Sequence, residues 1–142
     1  MLKVLIADDE EKICQLIIKL INWEEMGLKI AATASNGIEA LEQAKICKPE
    51  ILITDIRMPG IDGMELIRKV KEKLPDTEII IISGYRHFEY AQTAIRYGVR
   101  NYLLKPIKKE ELRDTLQKIA DIYREKNEQL NFEERVRLAL KK

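Results

Sequence analysis

Apolar residues along this chain fall into two alternating rhythms. Short continuous runs occupy residues 4–7, Leu28–Ala34, Ile51–Thr54, 79–82 and Asn101–Leu104, a length and β-branched content that predict buried strands. Between them, apolar residues recur at helical spacing. Ile13, Leu16, Ile17 and Leu20 follow the first run, Ile38, Leu41 and Ala44 the second, and Met64, Leu66, Ile67, Val70 and Leu74 the third. Residues 88–97 predict a shorter fourth helix stopped by Gly98, and a long fifth begins at Lys109. Breakers sit between the rhythms: residues 22–27, the turn signal Asn36-Gly37, Pro49, Met58-Pro59-Gly60, Ser83-Gly84 and Lys105-Pro106. Asp62-Gly63 opens the third helix.

Strand–helix alternation repeated five times is (βα)5, an α/β architecture with a parallel five-stranded sheet and helices on both faces. The strands read as continuous apolar runs, as a doubly covered sheet requires. Ligands of such sheets bind beyond the carboxyl ends of the strands. The residues just past each strand are therefore the ones to inspect.

Composition narrows the field. The 142 residues fit one ordinary domain, long enough to bury about 70% of the surface of its unfolded form. Charged residues reach 35%, yet the net charge is only +1, so no overall field favours nucleic acid or an anionic membrane. Cys14 and Cys47 lack the spacing of a zinc site or a disulfide framework and predict reduced thiols. The one histidine, His87, excludes a His-rich metal site. No stretch approaches the ~18 apolar residues of a membrane span, and Met1-Leu2-Lys3 leads straight into a strand with no signal segment. The expected location is the cytoplasm, with no membrane partner.

Past the first strand stand Asp8 and Asp9, at the end of the third Asp55, of the fourth Ser83 and of the fifth Lys105. Each alone has an ordinary reading: a helix cap, a turn acid, a turn serine, a loop lysine. Their joint position on one sheet edge points to chemistry. Crowded carboxylates repel one another unless a cation lies among them, and oxygen-only donors suit a hard ion, Mg²⁺. Lys105 adds a point charge suited to a phosphoryl group, and the Ser83 hydroxyl adds a donor. The sum is a phosphoryl-transfer site.

At these residues the chain resembles the receiver domain of two-component response regulators. The matching segments are Leu5-Ile6-Ala7-Asp8-Asp9-Glu10, Asp55-Ile56-Arg57-Met58-Pro59-Gly60-Ile61-Asp62-Gly63, Ile82-Ser83-Gly84 and Tyr102-Leu103-Leu104-Lys105-Pro106, and the resemblance covers residues 1–124. It implies a flavodoxin-like three-layer sandwich with strand order 2-1-3-4-5. It implies that Asp55 accepts a phosphoryl group from a sensor histidine kinase, with Mg²⁺ held by Asp8, Asp9, Asp55 and the Arg57 backbone carbonyl. Lys105 would pair with Asp55 and then with the phosphoryl group, across a cis Lys105-Pro106 bond. Ser83 would turn to the phosphoryl oxygen, and Tyr102 would report the change by moving inward. Arg57 and Tyr85 would border the path of the hydrolytic water. Such a domain is a signalling module, not an enzyme, beyond assisting its own phosphorylation and dephosphorylation. Ser83 and Tyr102 lie on adjacent strands and flank helix four, which predicts a switching face of helix four and strand five and a homodimer contact through helix four, strand five and helix five.

The run Ser83-Gly84-Tyr85-Arg86-His87-Phe88-Glu89-Tyr90-Ala91 and the segment Asn22-Trp23-Glu24-Glu25-Met26-Gly27 resemble the subgroup of receivers fused to AraC-type helix-turn-helix domains. His87 is then a surface residue and Trp23 a packing anchor far from the chemistry. DNA contact would come only through an output domain, concerned with transcription, that this chain does not contain. Residues 125–142 predict a helical extension or linker, either a solvated helix or a coiled-coil connection to that domain. Lys126 and Glu133 on the would-be seam weigh against the coiled coil.

Three other readings compete. A Mg²⁺-dependent aspartyl-phosphate phosphatase calls for Asp-x-Asp after the first strand, where this chain has Asp8-Asp9-Glu10. A flavin carrier of the same fold calls for a phosphate-binding loop there, and this loop is acidic. A degenerate receiver that serves only as an interaction module would lack some of the site residues, all of which are present.

Overall fold

The computed structural model describes residues 1–84 and 88–141. Its elements are β1 (Leu2–Ala7), α1 (Glu11–Leu20), β2 (Leu28–Ala34), α2 (Gly37–Cys47), β3 (Ile51–Thr54), α3 (Gly63–Lys73), β4 (Glu78–Ser83), α4 (Phe88–Arg96), β5 (Asn101–Leu104) and α5 (Lys109–Leu140). The strands pair in parallel as one sheet in the order β2-β1-β3-β4-β5, the flavodoxin-like order that the resemblance implies.

Successive strand residues point to opposite faces, which sorts the continuous apolar runs into two cores. Val4, Ile6, Ile51, Ile53, Ile80 and Ile82 pack with Cys14 and Ile17 of α1 and with Leu112, Leu116 and Ile119 of α5. Leu5, Ala7, Leu52, Ile79 and Ile81 pack on the other face with α2, α3 and α4, through Ala40, Ala44, Leu66, Ile67, Val70 and Ala94. Each fully buried Leu or Ile of these layers contributes about 1.5–3 kcal/mol relative to exposure. β3 and β4 are buried at every position, whereas β2, on the sheet edge, alternates toward solvent.

Local signals have physical counterparts, with some differences. Asn36-Gly37 is the start of α2 rather than a free turn: the Asn36 side chain accepts the Glu39 N–H at 2.8 Å, a helix N-cap. Asp62 does the same for α3, accepting from Glu65 N–H at 2.9 Å. Residues 22–27 contain a 3-10 turn, Glu24–Met26, closed by Gly27 at φ 72°. Trp23 is buried there and its Nε1–H donates to the Ile18 carbonyl at 3.0 Å, the expected anchoring role. β4 extends one residue beyond the apolar run at each end because Glu78 and Ser83 are buried with it. α4 ends at Arg96, one residue earlier than predicted.

α5 runs 32 residues without a break across the expected boundary at 124. Its packing on the body ends at Tyr123, whose hydroxyl lies in hydrogen-bond contact with the Asp76 and Glu50 carbonyls. From Arg124 to Lys141 every residue is exposed. Among the described residues no helix is long and apolar enough to cross a membrane.

Candidate phosphoryl-transfer site

Each candidate side chain is delivered by the backbone ladder where a strand ends. Asp8 N–H donates to Ala34 O at 3.0 Å, Asp55 N–H to Ala7 O at 3.1 Å and Lys105 N–H to Ser83 O at 2.8 Å. Parallel pairing thus continues one residue past β1, β3 and β5 and places Asp8, Asp55 and Lys105 on one edge.

Asp8 and Asp55 are buried, Ser83 is fully buried and Asp9 is exposed. One carboxylate oxygen from each of Asp8, Asp9 and Asp55 can be chosen so that all three lie within 4.8 Å of one another. Lys105 Nζ reaches Asp55 Oδ2 at 2.8 Å and Asp8 Oδ2 at 3.2 Å. The second oxygens are held by backbone: Ile56 N–H donates to Asp55 Oδ1 at 2.6 Å and Glu10 N–H to Asp8 Oδ1 at 2.9 Å. Both buried carboxylates are therefore fixed in orientation before any ligand arrives.

Electrostatics leave this edge short of positive charge. Burial pushes the Asp8 carboxyl above its ordinary range, and the charge of Asp55 adds to that, against the lowering pull of the Glu10 amide and Lys105. Burial also acts to lower the Lys105 pKa, but its hydrogen bond to Asp55 and the charges of Asp8 and Asp55 outweigh it, so the ammonium is held above its usual value. The two ends of the Lys105–Asp8 pair do not respond as a simple pair, because burial outweighs the lysine at Asp8 whereas the hydrogen bond to Asp55 and the charges of Asp8 and Asp55 outweigh burial at Lys105. Three clustered carboxylates, two of them bridged by one lysine, with oxygen donors only, form a donor set that fits a hard divalent cation.

The loop carrying Asp55 is clasped by two glycines. A Cβ on Gly63 would lie 2.0 Å from the Asp55 carbonyl oxygen, and one on Gly37 would lie 1.9 Å from the Ile61 carbonyl oxygen. Gly63 N–H donates to Ile56 O at 2.6 Å, and Thr54 Oγ1 donates to Asp55 O at 2.8 Å. In the sequence, Gly37 and Gly63 read only as turn and helix-start signals. Their close approach to the loop has no local signature, since the contacts join segments distant in sequence.

Tyr102 on β5 is half-buried and packs at the margin of the α2/α3/α4 core. Burial raises its phenol pKa, the hydrogen bond with Ser83 lowers it, and the charge of Asp55 raises it further. The serine and tyrosine named from sequence are thus linked to each other and to the Asp55 field. Arg57 is exposed, two residues past Asp55. The Lys105-Pro106 bond is cis, as the resemblance implies. Cys14 and Cys47 are free thiols, and buried Cys14 donates Sγ–H to the Asp8 carbonyl at 3.7 Å. Tyr85 and His87 lie outside the described residues.

Comparison with known proteins adds to this geometry. Residues 4–117 match the model of the response regulator receiver domain. The transcriptional regulatory protein YesN of Bacillus subtilis is 40% identical over 139 residues, covering 94% of this chain and 38% of that protein. The REC domain of AraT, a response regulator from Geobacillus stearothermophilus, superposes with a TM-score of 0.84 at 41% identity, covering 89% of this chain and 98% of that one. A two-component transcriptional regulator AraC from Clostridium phytofermentans gives a TM-score of 0.79 at 36% identity, covering 85% of this chain and 94% of that one. The chain spans less than half the length of the curated relatives it matches, 38% and 45% for the first two.

Proposed function

The chain belongs to the response regulator receiver family, and on that premise we propose that Asp55 accepts a phosphoryl group from the phosphohistidine of a sensor kinase. The observation that carries this reading is the Lys105 ammonium bridging Asp55 and Asp8 at 2.8 and 3.2 Å beside a third carboxylate.

A carboxylate and a phosphoryl group are both negative, so the reaction needs positive charge and fixed geometry more than it needs a strong base. Asp55 supplies a carboxylate held in place through Oδ1 by the Ile56 amide and through Oδ2 by Lys105. The new P–O bond forms there as the P–N bond to the donor histidine breaks. Lys105 follows the charge from the carboxylate to the phosphoryl oxygens, and Ser83 donates a hydrogen bond to one of them. Asp8, Asp9, Asp55 and the Arg57 carbonyl would hold Mg²⁺. When bound, Mg²⁺ supplies the positive charge that offsets repulsion between nucleophile and phosphoryl oxygens.

The acyl phosphate adds a charge of about −1.5 to −2. Ser83 is drawn toward it and Tyr102 follows, altering the face of α4, β5 and α5. That face is also the proposed homodimer contact, and Ile95 of α4 stands 69% exposed on it. Arg57 and Tyr85 border the approach of the hydrolytic water and prolong the phosphorylated state. The chain works in the cytoplasm as a signalling module rather than as an enzyme. It controls a transcriptional output domain of the kind found in its longer relatives, with residues 1–124 as the receiver and 125–142 as the helical connection.

Incubation with acetyl phosphate and Mg²⁺ tests the central step. Intact mass is expected to rise by one phosphoryl group in the wild-type chain and not in Asp55→Asn. An equal adduct on both chains, or none on the wild type, would overturn it.

A further inference from the structure

Glu10 stands at the N-cap position of α1, and its side chain does no capping. Asn36 and Asp62 cap α2 and α3 with side-chain oxygens. Glutamate is a poor N-cap, and Ser, Thr, Asp or Asn would stabilise the helix start. α5 also starts without a side-chain cap, from Lys108, but that residue is a cation with no oxygen to offer. Glu10 carries an oxygen acceptor and directs it elsewhere: Oε1 lies 4.0 Å from Lys105 Nζ. Its backbone is fixed meanwhile. The N–H is held by Asp8 Oδ1 at 2.9 Å, and the carbonyl accepts from Ile13 N–H at 3.0 Å and Cys14 N–H at 3.3 Å. A locally unfavourable residue held in place beside a reactive group is where a functional role is expected.

Charge shows what that role is. Asp8, Asp9 and Asp55 contribute three negative charges. Lys105 and a divalent cation would balance them. Glu10 adds a fourth at the exposed mouth of the site, with 65% of its side chain in solvent. It partly screens Lys105 and opposes each further negative charge that approaches.

We propose that Glu10 is a specificity-determining residue that disfavours small anionic phosphodonors at Asp55 in proportion to their charge. The inference rests on the receiver reading and deepens it. A donor presented by a protein surface would bring its own contacts to offset this penalty, whereas a free dianion has none. The chemical step is the same for every donor. A bond forms between an Asp55 oxygen and phosphorus. In acetyl phosphate the P–O bond breaks and acetate leaves with the electron pair. In zwitterionic phosphoramidate the P–N bond breaks and ammonia leaves with the protons already on nitrogen.

The test compares phosphorylation rates of the wild-type chain and Glu10→Gln with these two donors, in Mg²⁺, at low and high salt. Coulomb's law at exposed separations predicts an acceleration of about fivefold with dianionic acetyl phosphate and about twofold with phosphoramidate, which carries one net negative charge less. Both gains shrink at high salt, where charges farther apart than the Debye length are screened. Glu24→Gln, a loss of charge at the other end of the sheet, is expected to leave both rates unchanged. Glu10→Asn removes the charge and supplies a cap, so its melting temperature should rise while its rates follow Glu10→Gln. Equal acceleration with both donors, no acceleration, or a gain indifferent to salt would overturn the role of Glu10. Failure of the wild-type chain to take a phosphoryl group at all would instead overturn the receiver reading beneath it.

Discussion

At the amino ends of the strands, Glu78 takes Arg100 at 2.7 Å, Glu50 Oε1 accepts the Lys3 N–H at 2.9 Å and Lys3 Nζ donates to the Cys47 carbonyl at 3.1 Å. Thr77 Oγ1 donates to Pro49 O at 2.7 Å, and Lys71 Nζ to Thr77 O at 2.6 Å. At the carboxyl ends, Asp8 and Asp55 share Lys105, with Asp9 clustered against them and Glu10 4.0 Å from the lysine. Both ends are rich in acids. At one end buried Glu78 and half-buried Glu50 each have a donor, and the network ties β1, α2, α3 and the starts of β3 and β4 together. At the other, acids outnumber cations and burial keeps the imbalance from being relaxed by water. The first arrangement stabilises the fold. The second holds unspent electrostatic repulsion that a cation and a phosphoryl exchange can use.

The contrast can be broken most sharply at Gly63. A methyl group there would lie 2.0 Å from Asp55 O, so Gly63→Ala forces the loop to move and is expected to cost about 3 kcal/mol in urea unfolding, at the upper end of overpacking penalties. Phosphorylation of Asp55 should fall with it.

Adding Mg²⁺ probes the charge deficit directly. At one hundred times its dissociation constant, a ligand confined to the folded state stabilises by about 2.7 kcal/mol. The wild-type melting temperature should rise accordingly and that of Asp9→Asn should rise much less. An equal rise in both would mean that the acids at the carboxyl edge do not hold the ion.

At the opposite edge, Tyr123→Phe removes the hydroxyl that meets Glu50 O and Asp76 O. Denaturant unfolding should show a loss of about 1 kcal/mol, with the Mg²⁺ response and the phosphorylation rate retained. The same residue sets a pH dependence. Burial, with the charges of Glu78, Glu50 and Asp76, pushes its phenol from 10.0 up to about 12. Below pH 10 the phenol is protonated in both states and its contribution is fully present. As pH rises from 10 to about 12 the unfolded chain ionises first, so stability falls through that window. Subtracting the Tyr123→Phe curve from the wild-type curve should isolate this loss, and coincident curves would refute it.

The alternation of strands and helices is legible in the chain because continuous apolar runs and helical spacing are local properties that burial on two sheet faces demands. The position of Asp8, Asp9, Asp55, Ser83 and Lys105 just past strands is legible for the same reason: once strands are parallel, their carboxyl ends share an edge. The strand order came from resemblance, since nothing in the spacing of runs says which strands are neighbours. The Lys105–Asp55 pair came from resemblance too, whereas tertiary structure alone decided that Lys105 also reaches Asp8, that Gly37 and Gly63 clasp the Asp55 loop, that Tyr102 meets Ser83, and that Glu10 faces Lys105 instead of capping its helix. Those contacts join residues up to 97 positions apart. Their distances depend on how five strands stack side by side, which no local stretch of sequence encodes.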